Sequence, residues 1–165
     1  MCFNKLATRI ENLTIEQALI GYRMWRLPIN NPELLKSLSQ NYDWPINISD
    51  ISHPVMDKDS GIYAYNNINY NYNYNYNYNY NNYNNNYNIS GIICQYGNVA
   101  IHTEGQRSEY AKIKTLFTIR ESDAEGSKEF INWIVKFNTV VKSIASKYNA
   151  DTMHYQDFVE LNSIK

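Results

Sequence analysis

At 165 residues, with a formal net charge of −1 and a sequence pI of about 6.3, the chain is sized for one domain and has no global basic field. Bulk electrostatic affinity for nucleic acid is therefore not expected, although the composition leaves room for a local basic patch. Cys2 and Cys94 build neither a disulfide framework nor a complete zinc site; without a signal-like leader or a membrane-length apolar run, a cytoplasmic location with no membrane contact is expected.

Met1 to Gln17 contains a short helical candidate, because Thr14 and Gln17 have the spacing of a capping box. Leu19 to Leu27 reads as a strand. Ile20, Tyr22, Met24 and Arg26 form one phase, and Leu19, Gly21, Arg23, Trp25 and Leu27 the other. Arg23 and Trp25 therefore share a face, where a guanidinium beside an indole makes a cation–π contact or grips an anion. The plainer reading has Trp25 in the core and Arg23 closing its rim. Pro32 followed by Glu33 to Leu38 predicts one or two helical turns. Trp44-Pro45 marks an extended, packed connection.

Asn47 to Ser60 is a polar loop holding Asp50, His53, Asp57 and Asp59. Their spacing matches no metal motif, so neither a metal nor a cofactor is assigned. Gly61 to Tyr65 resumes strand character. Residues 66–88 are a low-complexity Asn/Tyr tract, read as a loop insertion in a single domain spanning 1–165. The tract offers no aliphatic surface to bury, and a long surface loop adds little closure entropy. It carries no Lys or Arg, so it lacks what a phosphate-tracking groove requires.

Ile89 to Gln95 is an apolar run, Tyr96-Gly97-Asn98 a hairpin turn signal, and Val99 to Thr103 an alternating strand. Gly105 then marks a turn or bulge. A bulge there brings His102, Glu104, Arg107 and Glu109 to one face or rim; without it, Arg107 and Glu109 lie opposite His102. The same four residues also fit a solvated strand edge. Lys112 to Ile119 returns to a strand pattern. Asp123 to Asn149 is a helix with Ser127 as N-cap and a stripe of Phe130, Ile134, Phe137, Val141, Ile144 and Tyr148. Met153 to Leu161 adds a short closing strand or helical turn. The fold class expected is α+β: a mainly antiparallel sheet, able to curl toward a half-barrel, covered by one long C-terminal amphipathic helix.

Three blocks carry a resemblance. They are Gly21-Tyr22-Arg23-Met24-Trp25, Ser60-Gly61-Ile62-Tyr63-Ala64, and Gly97-Asn98-Val99 with His102 and Gly105-Gln106-Arg107-Ser108-Glu109-Tyr110-Ala111. In order and spacing they resemble a family of short uncharacterised actinobacterial, phage and viral proteins. That family has Gly-Trp-Arg-x-Trp, Cys-Gly-Ile-Tyr-Ala and Gly-x-Val-x-x-His-x-x-Gly-Tyr-Arg-Ala-Glu-x-Ala blocks. The resemblance brings no activity with it; it implies a domain and a candidate surface. Asp59 and Ser60 stand where the family often has cysteines, so any metal or disulfide those form is not implied here.

The function expected first is a binding module. Arg23, Trp25, His102, Glu104, Arg107, Glu109 and Tyr110 form its candidate surface for a small anionic or nucleotide-like ligand. The alternative is a protein-interaction module, such as a viral or phage accessory protein acting on a host factor, with the sheet edge and its charged hairpin binding a partner chain. A third reading is a hydrolase or transferase using His102 with Glu104 or Glu109 as acid and base. No nucleophile elbow, phosphate loop or His-Glu-x-x-His motif supports it, and enzyme status stays open.

Overall fold

The computed structural model describes residues 7–38, 42–46, 61–67, 85–123 and 127–163. The described strands are β1 (Arg9–Leu13), β2 (Leu19–Pro28), β3 (Lys36–Ser37), β4 (Ile62–Tyr65), β5 (Asn86–Ile101), β6 (Gly105–Thr118) and β7 (Asp151–His154); the helices are α1 (Lys128–Lys147) and α2 (Tyr155–Ser163). All seven strands join one mixed, mostly antiparallel sheet in the order β1-β5-β2-β4-β6-β7, with β3 beside β2. β5 also pairs with β6, so the contacts β5–β2–β4–β6–β5 run in a ring. β7 alone is parallel, entering beside β6 after the crossover through α1.

β5 is the spine of the sheet. Ile89 and Ile93 point to the core, and the full length of β2 lies along residues 86–95. β1 continues the same flank, pairing with residues 97–101. The Gly97-Asn98 signal is therefore not a hairpin. It is a bulge, with both residues set against Glu109 between the Tyr96–Tyr110 and Val99–Ser108 pairs. Gly97 supplies the positive φ (76°) such a bulge requires. The reversal comes later, at 102–104, closed by His102 N donating to Gly105 O at 2.8 Å.

Other expectations also change. The 1–17 segment holds β1 and a single 3₁₀ turn (Ile15–Gln17) instead of an α-helix. The capping geometry is nevertheless formed, with Gln17 Oε1 accepting from Thr14 N at 3.1 Å. Pro32 opens a turn and not a helix, because Lys36–Ser37 is drawn into pairing with Trp25 and Arg26. The Asn/Tyr tract ends inside β5: Asn86, Tyr87 and Asn88 pair with β2, and Tyr87 is buried against Trp133 and Phe137. The 47–60 loop, with its Asp50, His53, Asp57 and Asp59, lies outside the described residues. Cys94, inside the apolar run of β5, is partly exposed.

The expected helix is present as α1, and a second, shorter helix, α2, follows it in the chain, so the C-terminal part is not one long helix alone. α1 begins at Ser127, whose Oγ accepts from Phe130 N at 3.1 Å. It buries Ile134, Phe137, Asn138, Val141, Ile144 and Ala145, a 3–4 spacing that gives one continuous stripe against Trp25, Leu27, Ile89, Ile93 and Leu116. Phe117, the next residue after Leu116, points to the opposite face. There α2 meets it with Tyr155 and Phe158, and Phe158 also reaches Tyr22. Arg120 holds α2 in place through ion pairs to Asp157 and Glu160.

The C-terminal end of α1 is fastened by Tyr148. Its hydroxyl donates to Trp44 O at 2.6 Å and accepts from Leu35 N at 3.1 Å. Burial pushes this phenol up to about 12, from an ordinary value of about 10. A raised phenol contributes its full stabilisation below the unfolded value and loses it as pH rises through the folded one. Stability is thus expected to fall by roughly 2–3 kcal/mol between about pH 10 and pH 12 on account of this group. Tyr148→Phe should remove that share of the alkaline slope in urea titrations. At neutral pH it should cost about 1–3 kcal/mol, since Leu35 N and Trp44 O lose their partner. An unchanged alkaline slope in the variant would contradict the assignment.

Candidate functional site

The candidate residues fall into three groups. Arg23 and Trp25 share the inward phase of β2, as the alternation predicts. Trp25 is wholly buried and meets Trp44 edge-on, with ring centroids 5.3 Å apart. Arg23 does not stack on Trp25; its guanidinium lies over the Trp44 ring, 4.9 Å from the centroid. β2 and β4 form only one ladder pair, Tyr22 with Tyr65. Arg23 fills the place where the two strands part, donating from Nη1 to Tyr63 O at 2.6 Å and from Nη2 to Ser37 Oγ at 3.3 Å.

No carboxylate among the described residues lies within ion-pair distance of Arg23. Its Nε–H is buried and has no acceptor. Burial lowers the guanidinium to about 10, which still leaves it fully charged at neutral pH. An unpaired buried cation costs several kcal/mol unless polar groups or a ligand compensate.

His102 and Arg107 form the second group. Arg107 Nε donates to His102 Nε2 at 3.0 Å, and both side chains are nearly inaccessible. The tight 102–104 reversal brings them together, so no bulge at Gly105 is needed. Arg107 lies directly across from Ala100 on β5 and Tyr63 on β4. Tyr63 therefore stands between the arginines: its carbonyl binds Arg23, and its Cα partner is Arg107. The His102 nitrogen that would serve as a base is engaged by Arg107, and the geometry lends the hydrolase reading no support.

Glu104, Glu109 and Tyr110 form the third group, on the partly exposed rim. Glu104 uses its backbone carbonyl to hold Asn66 N at 3.0 Å. Glu109 Oε1 accepts from Asn98 N at 3.3 Å, capping the bulge. Tyr110 stacks on Tyr96 at 5.4 Å with 21° between the rings. These three do not converge with Arg23 through any described contact.

Residues that the sequence left unmarked complete the picture. Ser37 and Trp44 enclose Arg23, and the Trp44-Pro45 packing signal was their one trace. Gln95 is fully buried; its Nε2 reaches Ile62 O at 2.8 Å, Ser108 Oγ at 3.2 Å and Gln106 O at 3.3 Å. Period two places Gln95 in the phase of Ile89 and Ile93, which is the signal that marks it as inward. Among the described residues, no three His, Cys, Asp or Glu side chains gather as a metal site, and no helix is long and apolar enough to cross a membrane. No family model, curated protein or solved structure matches the chain, and the resemblance described above rests on its own three blocks.

Proposed function

We propose that the chain is a binding module for a small anionic ligand, with a phosphate-bearing one fitting best, taken up at Arg23 against Trp44. The observation that carries this reading is the half-buried Arg23 guanidinium, charged at neutral pH, with no carboxylate within ion-pair distance among the described residues and a buried Nε–H without an acceptor. A planar fork with spare donors suits phosphate or carboxylate oxygens, and the indole beneath it supports a nucleotide-like ligand. Arg107, on β6 and bonded to His102, adds positive charge on the other flank of β4.

The test is to titrate inorganic phosphate and AMP into protein labelled at arginine side chains and to follow the Arg23 Nε–Hε resonance. A saturable shift is expected, with affinity at least about tenfold weaker in Arg23→Lys, which keeps the charge but loses the fork. An Arg23 resonance that stays still through millimolar concentrations of both ligands would overturn the reading.

A further inference from the structure

β1 forms a ladder with β5 on one side, and among the described residues nothing pairs with its other side. Such an edge invites another strand unless its side chains repel one. On β1, Arg9 Nε lies 2.8 Å from Glu11 Oε1, on side chains 62% and 40% exposed, while Ile10 between them is 61% exposed. The edge is thus charged, neutral in sum, and marked by a large exposed aliphatic side chain.

We propose that this edge is a self-association surface, on which a second copy of the chain adds its own β1 antiparallel, centred on Ile10. The choice of occupant follows from charge and register. When two identical strands extend a sheet about a two-fold axis perpendicular to it, facing residues lie on the same face, so the axis passes through a residue position. Centred on Arg9, the pairing sets arginine against arginine. Centred on Glu11, it sets glutamate against glutamate. Centred on Ile10, it sets Arg9 opposite Glu11 twice, packs Ile10 on Ile10, and places Thr8 opposite Asn12 and Ala7 opposite Leu13. Opposite charges directly across an antiparallel pair stabilise it and like charges oppose it. The sequence of β1 therefore selects one register, and in that register its partner is itself. An edge guarded by lysines would repel its copy, whereas this one complements it.

The surface is small. Seven residues a side is well short of the roughly 20–30 of a standard interface, so the dimer is weak, with a dissociation constant on the order of 0.1 mM. The surface is independent of the Arg23 site, and failure of either reading leaves the other standing.

Sedimentation equilibrium of the full chain at low salt, from about 10 µM to about 1 mM, tests it. The weight-average mass should rise from monomer toward dimer. Glu11→Arg should weaken association at least about tenfold, because each Arg9 then faces an arginine. The double exchange Arg9→Glu with Glu11→Arg should restore it to within about threefold, since the pairing is re-formed with signs reversed. Both positions are exposed, so far-UV circular dichroism should be unchanged in every variant. A monomer throughout the range, a dimer indifferent to Glu11→Arg, or a double exchange that fails to restore association would each overturn the proposal.

Discussion

Gly21→Ala is expected to cost at least about 3 kcal/mol, lowering the urea midpoint by about 2 M at a slope near 1.5 kcal/mol/M. A Cβ at this position would stand 2.4 Å from Ala64 Cβ and 2.5 Å from Gln95 Oε1. Neither neighbour yields cheaply. Ala64 Cβ is fixed by the β4 backbone, which is held in register by β6. The Gln95 amide is pinned through Nε2 by Ile62 O, Ser108 Oγ and Gln106 O, and moving it orphans them inside the sheet. Gln106 Nε2 in turn donates to Ile20 O at 2.8 Å, so the strand carrying Gly21 belongs to the same network. The double variant Gly21→Ala with Ala64→Gly should recover a measurable part of the loss, because it removes the Cβ–Cβ overlap. Additive losses in the pair would mean that the close approach of β2 to β4 is not what Gly21 serves.

This closure of the sheet was only partly legible in the sequence. Alternation located β2 and most of β5 and β6, and the 3.6-residue stripe located α1, because both signals persist over many residues. The Gly97-Asn98 pair misleads because a bulge and a tight turn ask for the same residue types. What decides between them is tertiary: β2 and β1 pair end to end along one flank of β5 and hold it extended through the glycine. β1 itself, Arg-Ile-Glu-Asn-Leu, leaves its aliphatic Ile10 exposed and has no buried alternation to reveal it. Pro32 and Glu33 open a good helix start, but the available backbone of β2 takes Lys36 and Ser37 instead. Propensity lost in each case to a strand already in place.

The candidate site was legible in the same uneven way. The shared phase of Arg23 and Trp25 follows directly from period two. That Trp44 would carry the guanidinium does not, since it arrives from a separate connection. His102 and Arg107 meet because the chain reverses between them, at a turn three residues long that contains no sequence signal as strong as the misleading one before it. Gln95 was visible in phase but easy to pass over at the end of an apolar run. A buried amide there gives the strands β4, β5 and β6 a common polar centre through its Nε2, while its Oε1 is buried without a hydrogen-bond partner.

Asn138→Ala is expected to destabilise the fold by about 2–4 kcal/mol, with a matching drop in thermal midpoint. Asn138 sits on the buried stripe of α1, where an asparagine is otherwise out of place. Its Oδ1 accepts from Ile119 N at 2.9 Å, and its Nδ2 donates to Ile119 O at 2.7 Å. One side chain thus takes the part of a neighbouring strand for the residue just beyond β6, where the chain leaves the sheet to begin the crossover to α1. Alanine would strand both backbone groups away from water. Asn138→Asp separates the two bonds. A carboxylate still accepts from Ile119 N but opposes Ile119 O, whereas a protonated carboxyl can serve both. Burial beside a carbonyl raises the pKa of the introduced group, so the stabilisation belongs to the protonated form and is lost as pH rises. The aspartate variant should therefore regain stability relative to wild type on acidification from pH 7 toward the carboxylate range, while the alanine variant should keep its deficit at every pH. Parallel curves for the two variants would show that the paired bonds to Ile119 are not what the asparagine contributes.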